Sequence, residues 1–108
     1  MTETGNNESL TIDIDPDGTI VVHGDIDIAG GPKLESVILS RENTEQIVID
    51  LGDVFFIDSS GLRSLLGASR RAQSRNTTVV LRAVGPEVAR LLQITGTTDQ
   101  FTIESSRG

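Results

Sequence analysis

The stretch of this chain with most chemical potential is Asp58-Ser59-Ser60-Gly61, set between the apolar run Phe55-Phe56-Ile57 and Leu62. Two hydroxyls and a carboxylate at the start of a helix can do three things. They can cap the helix, because Asp and Ser oxygens accept the orphan N–H bonds of a first turn. They can supply a nucleophile. Or one hydroxyl can carry a phosphate, whose charge a helix N-terminus tolerates. Two further features favour more than a cap. Phe55-Phe56-Ile57 should fix the helix start rigidly against a sheet. Gly61 costs roughly 1 kcal/mol relative to Ala inside a helix, and a missing side chain there would open access for a large partner. The residues alone neither settle cap against site nor choose between Ser59 and Ser60.

The nucleophile reading fails motif by motif. An aspartic-protease loop needs Gly directly after Asp-Ser or Asp-Thr, and here Ser60 intervenes. The Gly-x-Ser-x-Gly elbow of a hydrolase is absent. A Ser-His-Asp triad would have to use His23, the one histidine of the chain. No Gly-rich loop is followed by the Lys of a Walker-type phosphate site. We therefore expect no enzyme.

Composition narrows the remaining classes. A chain of 108 residues fits one domain and can bury roughly 60–70% of its unfolded surface. We expect a mobile polar tail over 1–8 and a single domain over 9–108. Only three aromatics occur, all Phe, so Ile, Val and Leu must build the core. Cysteine is absent, which excludes disulfides and thiolate metal sites and suits a reducing cytoplasm. His23 alone cannot form an imidazole cluster and reads as structural or exposed; no cofactor is expected. The net charge of −7 divides into −11 over residues 1–58 and +4 over residues 59–108. That total disfavours direct nucleic-acid binding, which needs a basic field. Arg70, Arg71 and Arg75 read as a solvated face at the negative end of a helix. No run of 18 apolar residues and no basic start before a hydrophobic stretch is present, so neither a membrane span nor a secretory signal is expected.

The elements that must position Asp58-Ser59 follow from periodicity. Leu10, Ile12 and Ile14 alternate with polar residues as in a half-buried strand. Pro16-Asp17-Gly18 is turn chemistry, and Ile20, Val21, Val22 and Ile26 form the returning strand of a hairpin. Gly30-Gly31-Pro32 opens a first helix with Pro at the first helical position, and Leu34, Val37, Ile38 and Arg41 line one face. Ile47, Val48, Ile49 and Leu51 read as a buried central strand, interrupted by Gly52 and Asp53. A second helix runs from about Ser59 to Arg75, with Leu62, Leu65, Leu66, Ser69 and Ala72 inward and Arg63 outward. Thr77 to Val84 is strand-like. Gly85-Pro86-Glu87 starts a third helix that Gly96 ends with left-handed freedom. Phe101 and Ile103 suggest a last short strand. The order ββαβαβαβ implies an α/β fold, helices packed on a mixed sheet.

With these elements in place, the chain resembles the STAS domain, and more narrowly the anti-sigma factor antagonists (anti-anti-sigma factors) of bacteria. The resemblance rests on Gly24-Asp25-Ile26-Asp27-Ile28-Ala29, the helix from Pro32, the strand Ile47 to Leu51, and Phe56-Ile57-Asp58-Ser59-Ser60-Gly61-Leu62, and covers about residues 9–103. Pro86, Val88, Leu91, Leu92 and Gly96 also follow the family pattern. The resemblance implies a partner-switching cycle. The unphosphorylated antagonist binds an anti-sigma factor that is also a serine kinase and frees the sigma factor; phosphorylation of the motif serine ends binding, and a serine phosphatase restores it. It makes Ser59 the phosphoacceptor and matches the family's acidic residue after the second strand to Asp27. Asp25, Asp27, Asp58, Ser59, Ser60, Gly61, Leu62 and Arg63 are then the expected partner-binding residues. A second function within the resemblance is a non-switching scaffold or ligand-binding module of a signalling or transport complex. Two departures stand out. The chain ends at Gly108, too soon for the further helix common in the family, and Thr97-Thr98-Asp99 are polar where the family places apolar residues. Both are expected to weaken the C-terminal edge.

Overall fold

The structure, a computed structural model, describes residues 10–41 and 44–104. The expectations for the tail over 1–8 and for the chain end at Gly108 concern residues outside that range. β1 (Leu10–Ile14) and β2 (Ile20–Ile26) form the expected antiparallel hairpin. Its turn closes where Gly18, at φ 93°, donates its N–H to the Asp15 carbonyl at 2.8 Å. There follow α1 (Gly30–Leu39), β3 (Gln46–Ile57), α2 (Ser59–Gln73), β4 (Thr78–Arg82), α3 (Pro86–Thr95), a 3-10 turn at Thr98–Gln100 and β5 (Thr102–Glu104). The sheet order is β1-β2-β3-β4-β5, antiparallel at the first pair and parallel after it. This is the α/β architecture that the order ββαβαβαβ implied.

Each helical crossover moves one strand further in the same direction. Right-handed crossovers of that kind place all three helices on one face of the sheet. That face holds the core, built from Leu10, Ile20, Val22, Ile26, Ile47, Ile49, Leu51, Val79 and Leu81 of the strands against Leu34, Ile38, Leu62, Leu65, Val88 and Leu92 of the helices. Phe101 is the one aromatic among these buried residues. Strand alternation sends Thr11, Asp13, His23, Asp50 and Arg82 to the other, open face.

Several expectations are corrected by local geometry. α1 begins at Gly30, so Pro32 is its third residue; it still lies in the first turn, where a missing N–H loses no intrahelical bond. Arg41 lies beyond α1, its guanidinium reaching the Gly18 carbonyl at 3.4 Å. Gly52 and Asp53 do not break the third strand. β3 runs through them for 12 residues, and the irregularity appears as register shifts in its pairing with β2. Thr77 belongs to the turn before β4, its hydroxyl donating to the Thr44 carbonyl at 2.6 Å. Gly96 ends α3 at φ 68° as expected. The polar residues after it are tied down: Thr97 N–H donates to Leu92 at 2.9 Å, and the buried Ser69 hydroxyl donates to the Gln100 carbonyl at 3.0 Å.

Candidate functional site

β2 and β3 run parallel and finish together, Asp25 opposite Phe56 and Ile26 opposite Ile57. Each then turns directly into a helix, and each turn is closed by an aspartate. After β2, Asp27 Oδ1 accepts the backbone N–H groups of Ala29 at 3.1 Å and Gly30 at 2.8 Å, while its carbonyl accepts from Gly31 at 2.7 Å. After β3, Asp58 holds an extended backbone and its Oδ1 accepts the Gly61 N–H at 2.8 Å, the bond of an N-cap. The Asp58 N–H in turn donates to the Ile26 carbonyl at 3.2 Å. Two strand ends and two helix starts are thereby stitched into one corner.

Gly61 explains how tightly. A Cβ at this position would lie 2.6 Å from the Ile26 carbonyl carbon and closer still to its oxygen. At Gly31 a Cβ would lie 2.7 Å from Ser64 Oγ and 3.4 Å from Gly61 Cα. The starts of α1 and α2 therefore meet backbone to backbone over the end of β2. Gly61 is required by that close approach; the access to a large partner expected of it is not its role, because the position is buried. The anchoring expected of Phe55-Phe56-Ile57 also changes. Ile57 and Val54 are buried, but Phe55 is 73% and Phe56 50% exposed.

The residues singled out from the sequence thus fall into two layers. Gly61 and Leu62 (4% exposed) lie beneath the surface, behind the exposed part of the first turn of α2. Asp25, Asp27, Asp58 and Ser60 are half-buried, and Ser59 and Arg63 are exposed on the outer side of the first turn of α2. Ser59 is the first residue of that helix. It sits where the positive ends of two helix dipoles converge, yet the carboxylates of Asp27 and Asp58 already stand at these two helix starts. The hydroxyl is open to a reagent from solvent, and a charge placed on it meets both fields. Among the described residues no cluster of three or more His, Cys, Asp or Glu could hold a metal ion, and no helix is long and apolar enough to cross a membrane.

Two features escaped the sequence reading. On the open face, His23 Nδ1 lies 2.7 Å from Asp53 Oδ2 and its Nε2 lies 3.2 Å from Asp13 Oδ2. The hydrogen bond to Asp53, reinforced by both negative charges, raises the imidazole above its ordinary value. The three residues stand on three strands, and only the register of the sheet brings them together. The other feature is a groove between the end of β3 and α3. Its sequence signal was a second stripe on that helix: Glu87, Arg90, Leu91 and Ile94 recur at i, i+3, i+4, i+7 beside the core stripe of Val88 and Leu92.

Residues 10–108 match the STAS domain family. The chain belongs to that family. The anti-sigma-B factor antagonist of Listeria monocytogenes serovar 1/2a is 34% identical to this STAS domain over 91 residues, covering 82% of this chain and 80% of the relative. Among solved structures, an anti-sigma factor antagonist from Mycobacterium paratuberculosis is 31% identical with a TM-score of 0.72, covering 88% of this chain and 85% of that one. SpoIIAA, the Bacillus cell fate determinant solved in its phosphorylated form, shares the fold at 18% identity with a TM-score of 0.63, over 88% of this chain and 90% of that one. By these likenesses the STAS domain described above sits with the anti-sigma factor antagonists.

Proposed function

We propose that this STAS domain is an anti-sigma factor antagonist switched by phosphorylation of Ser59. The unphosphorylated chain binds an anti-sigma factor with serine kinase activity, and the sigma factor is freed. The kinase transfers the γ-phosphoryl group of ATP to Ser59: a bond forms from Ser59 Oγ to phosphorus, the bond to the β-phosphate oxygen breaks, the hydroxyl proton is released and ADP leaves. A serine phosphatase reverses the state by hydrolysis to inorganic phosphate. The observation that carries this reading is the exposed Ser59 on a corner locked by Gly61 against Ile26 and flanked by Asp27 and Asp58.

The physics of release is like charge under a partner. A phosphoserine carries about −1.5 to −2 charges at neutral pH. The helix N-termini would stabilise it by roughly 0.3–1 kcal/mol each, but Asp58 already caps α2 and Asp27 already accepts the Gly30 N–H at the start of α1. Repulsion beneath a docked protein costs several kcal/mol, and each 1.4 kcal/mol is about tenfold in affinity. Repulsion therefore wins without any refolding. The test is incubation with the host's anti-sigma kinases and ATP, with the phosphate located by mass spectrometry. Stoichiometric label on Ser59, lost in Ser59→Ala, is expected, together with at least tenfold weaker anti-sigma binding by Ser59→Asp. Absence of label with every kinase would instead favour a non-switching scaffold.

A further inference from the structure

The fold leaves one apolar groove immediately beside the Ser59 corner. β3 pairs with β4 only as far as Asp50 opposite Arg82, so from Leu51 to Ile57 it has a strand neighbour on the β2 side alone. α3 stands across that free edge. Between them lies a groove of about 300 Å³ walled by Phe55, Phe56, Leu91 and Ile94, with Glu87 and Arg90 at its rim. Of the six large apolar side chains exposed among the described residues, three line this groove: Phe55 at 73%, Phe56 at 50% and Ile94 at 71%. Singly exposed apolar residues need no explanation, but three gathered in one concave patch mark a docking surface.

Resting on the reading above, we propose that this groove is a second docking point for the anti-sigma partner, which inserts an apolar side chain there while the rest of its interface covers Ser59. Continuity supports the extent of the contact. Phe56 is three residues from Ser59, at most about 11 Å along an extended chain. A stable complex covers roughly 800 Å² on each partner, more than a single helical turn presents. Charge selects the occupant. A second copy would bring another net charge of −7 against Asp25, Asp27 and Asp58, and an anionic membrane surface would be repelled in the same way. A protein surface with basic groups over Asp25 and Asp27 and none over Ser59 complements the free form, and a phosphate on Ser59 gains no counter-charge from it. The groove is neutral overall, because Glu87 and Arg90 offset each other, so its contact is insensitive to the phosphate. Ser59 would then set when binding ends, and the groove would set which partner binds.

The test uses the full chain and each purified host anti-sigma factor, with affinity measured by calorimetry for wild type, Phe55→Ser/Ile94→Ser, Ile94→Ser alone and Ser59→Asp. Expected are unchanged circular dichroism and melting for the groove variants, a tenfold or greater loss of affinity for the double variant, and a smaller loss for Ile94→Ser. A double variant that binds as wild type does, while Ser59→Asp is weakened, overturns the groove and leaves the switch standing. Weakening by the double variant with none by Ser59→Asp does the reverse. Wild type binding no anti-sigma factor overturns both. Sedimentation showing a wild-type dimer that the double variant abolishes, or capture of wild type but not the variant by phosphatidylglycerol vesicles, would assign the groove to another occupant and overturn the proposal.

Discussion

Two acidic regions of this fold use the same side chain in opposite ways. At the ends of β2 and β3, Asp27 and Asp58 spend their oxygens on backbone N–H groups of Ala29, Gly30 and Gly61. On the open face of the sheet, Asp13 and Asp53 hold the two nitrogens of His23. Backbone donors are fixed by the helix and keep their protons, so the first corner has one geometry. An imidazole titrates, so the second arrangement changes strength with pH. Rigidity also differs. The corner is pinned from below by the contact of Gly61 with Ile26, whereas His23, Asp13 and Asp53 are substantially solvent-exposed. Under the proposed switch, the first kind of construction keeps the charges of Asp27 and Asp58 in place when a phosphate is added beside them.

The sharpest way to break this contrast is Gly61→Ala. The new methyl meets backbone that cannot move aside, and we expect a loss of about 3 kcal/mol, at the upper end for overpacking, read as a lower urea midpoint. Gly67, in the same helix, gives the control: a Cβ there would sit 3.6 Å from Glu35 Oε2, an ordinary contact. Gly67→Ala should stabilise by about 0.5–1 kcal/mol through helix propensity. Equal effects at the two glycines would remove the case for a pinned corner.

Asp58→Ala probes the cap itself. Losing the bond to Gly61 should destabilise by about 1 kcal/mol, and thermal melting would detect it. Because Gly61 still holds the helix start on Ile26, the kinase should still label Ser59 in this variant; failure to label would mean that the cap carries the local order.

The smallest effect belongs to the open face. A pKa raised on folding means that the folded state holds the proton more tightly. The resulting stability is fully present below the unfolded value of about 6.5 and is lost as pH rises through the raised folded value. His23→Gln should therefore be less stable than wild type below about pH 6 and should approach it in alkaline solution. A gap that widens with rising pH would contradict the pairing with Asp53 and Asp13.

The strands, the three helices and the acidic character of the Ser59 segment were legible in the sequence, because apolar period, Pro and Gly positions and cap chemistry are local properties. Leu10, Ile12 and Ile14 announced a strand, and Gly96 announced a helix end. The first half of β3 was also visible; its continuation through Gly52 and Asp53 was not, since pairing to β2 carries the strand past residues of low strand propensity. The cap at Asp58 was foreseeable from residue type alone. The reason for Gly61 was not, because it lies in the carbonyl of Ile26, more than thirty residues earlier in the chain. Likewise Phe55 and Phe56 were expected to fix the helix start against the sheet, and only the placement of α3 beyond the end of β4 left them facing a groove. What the sequence determined by itself was which residues could act. Which of them share a corner, which lie beneath it and which remain open to a partner was decided by tertiary packing, because sheet register and helix placement join residues that no local pattern connects.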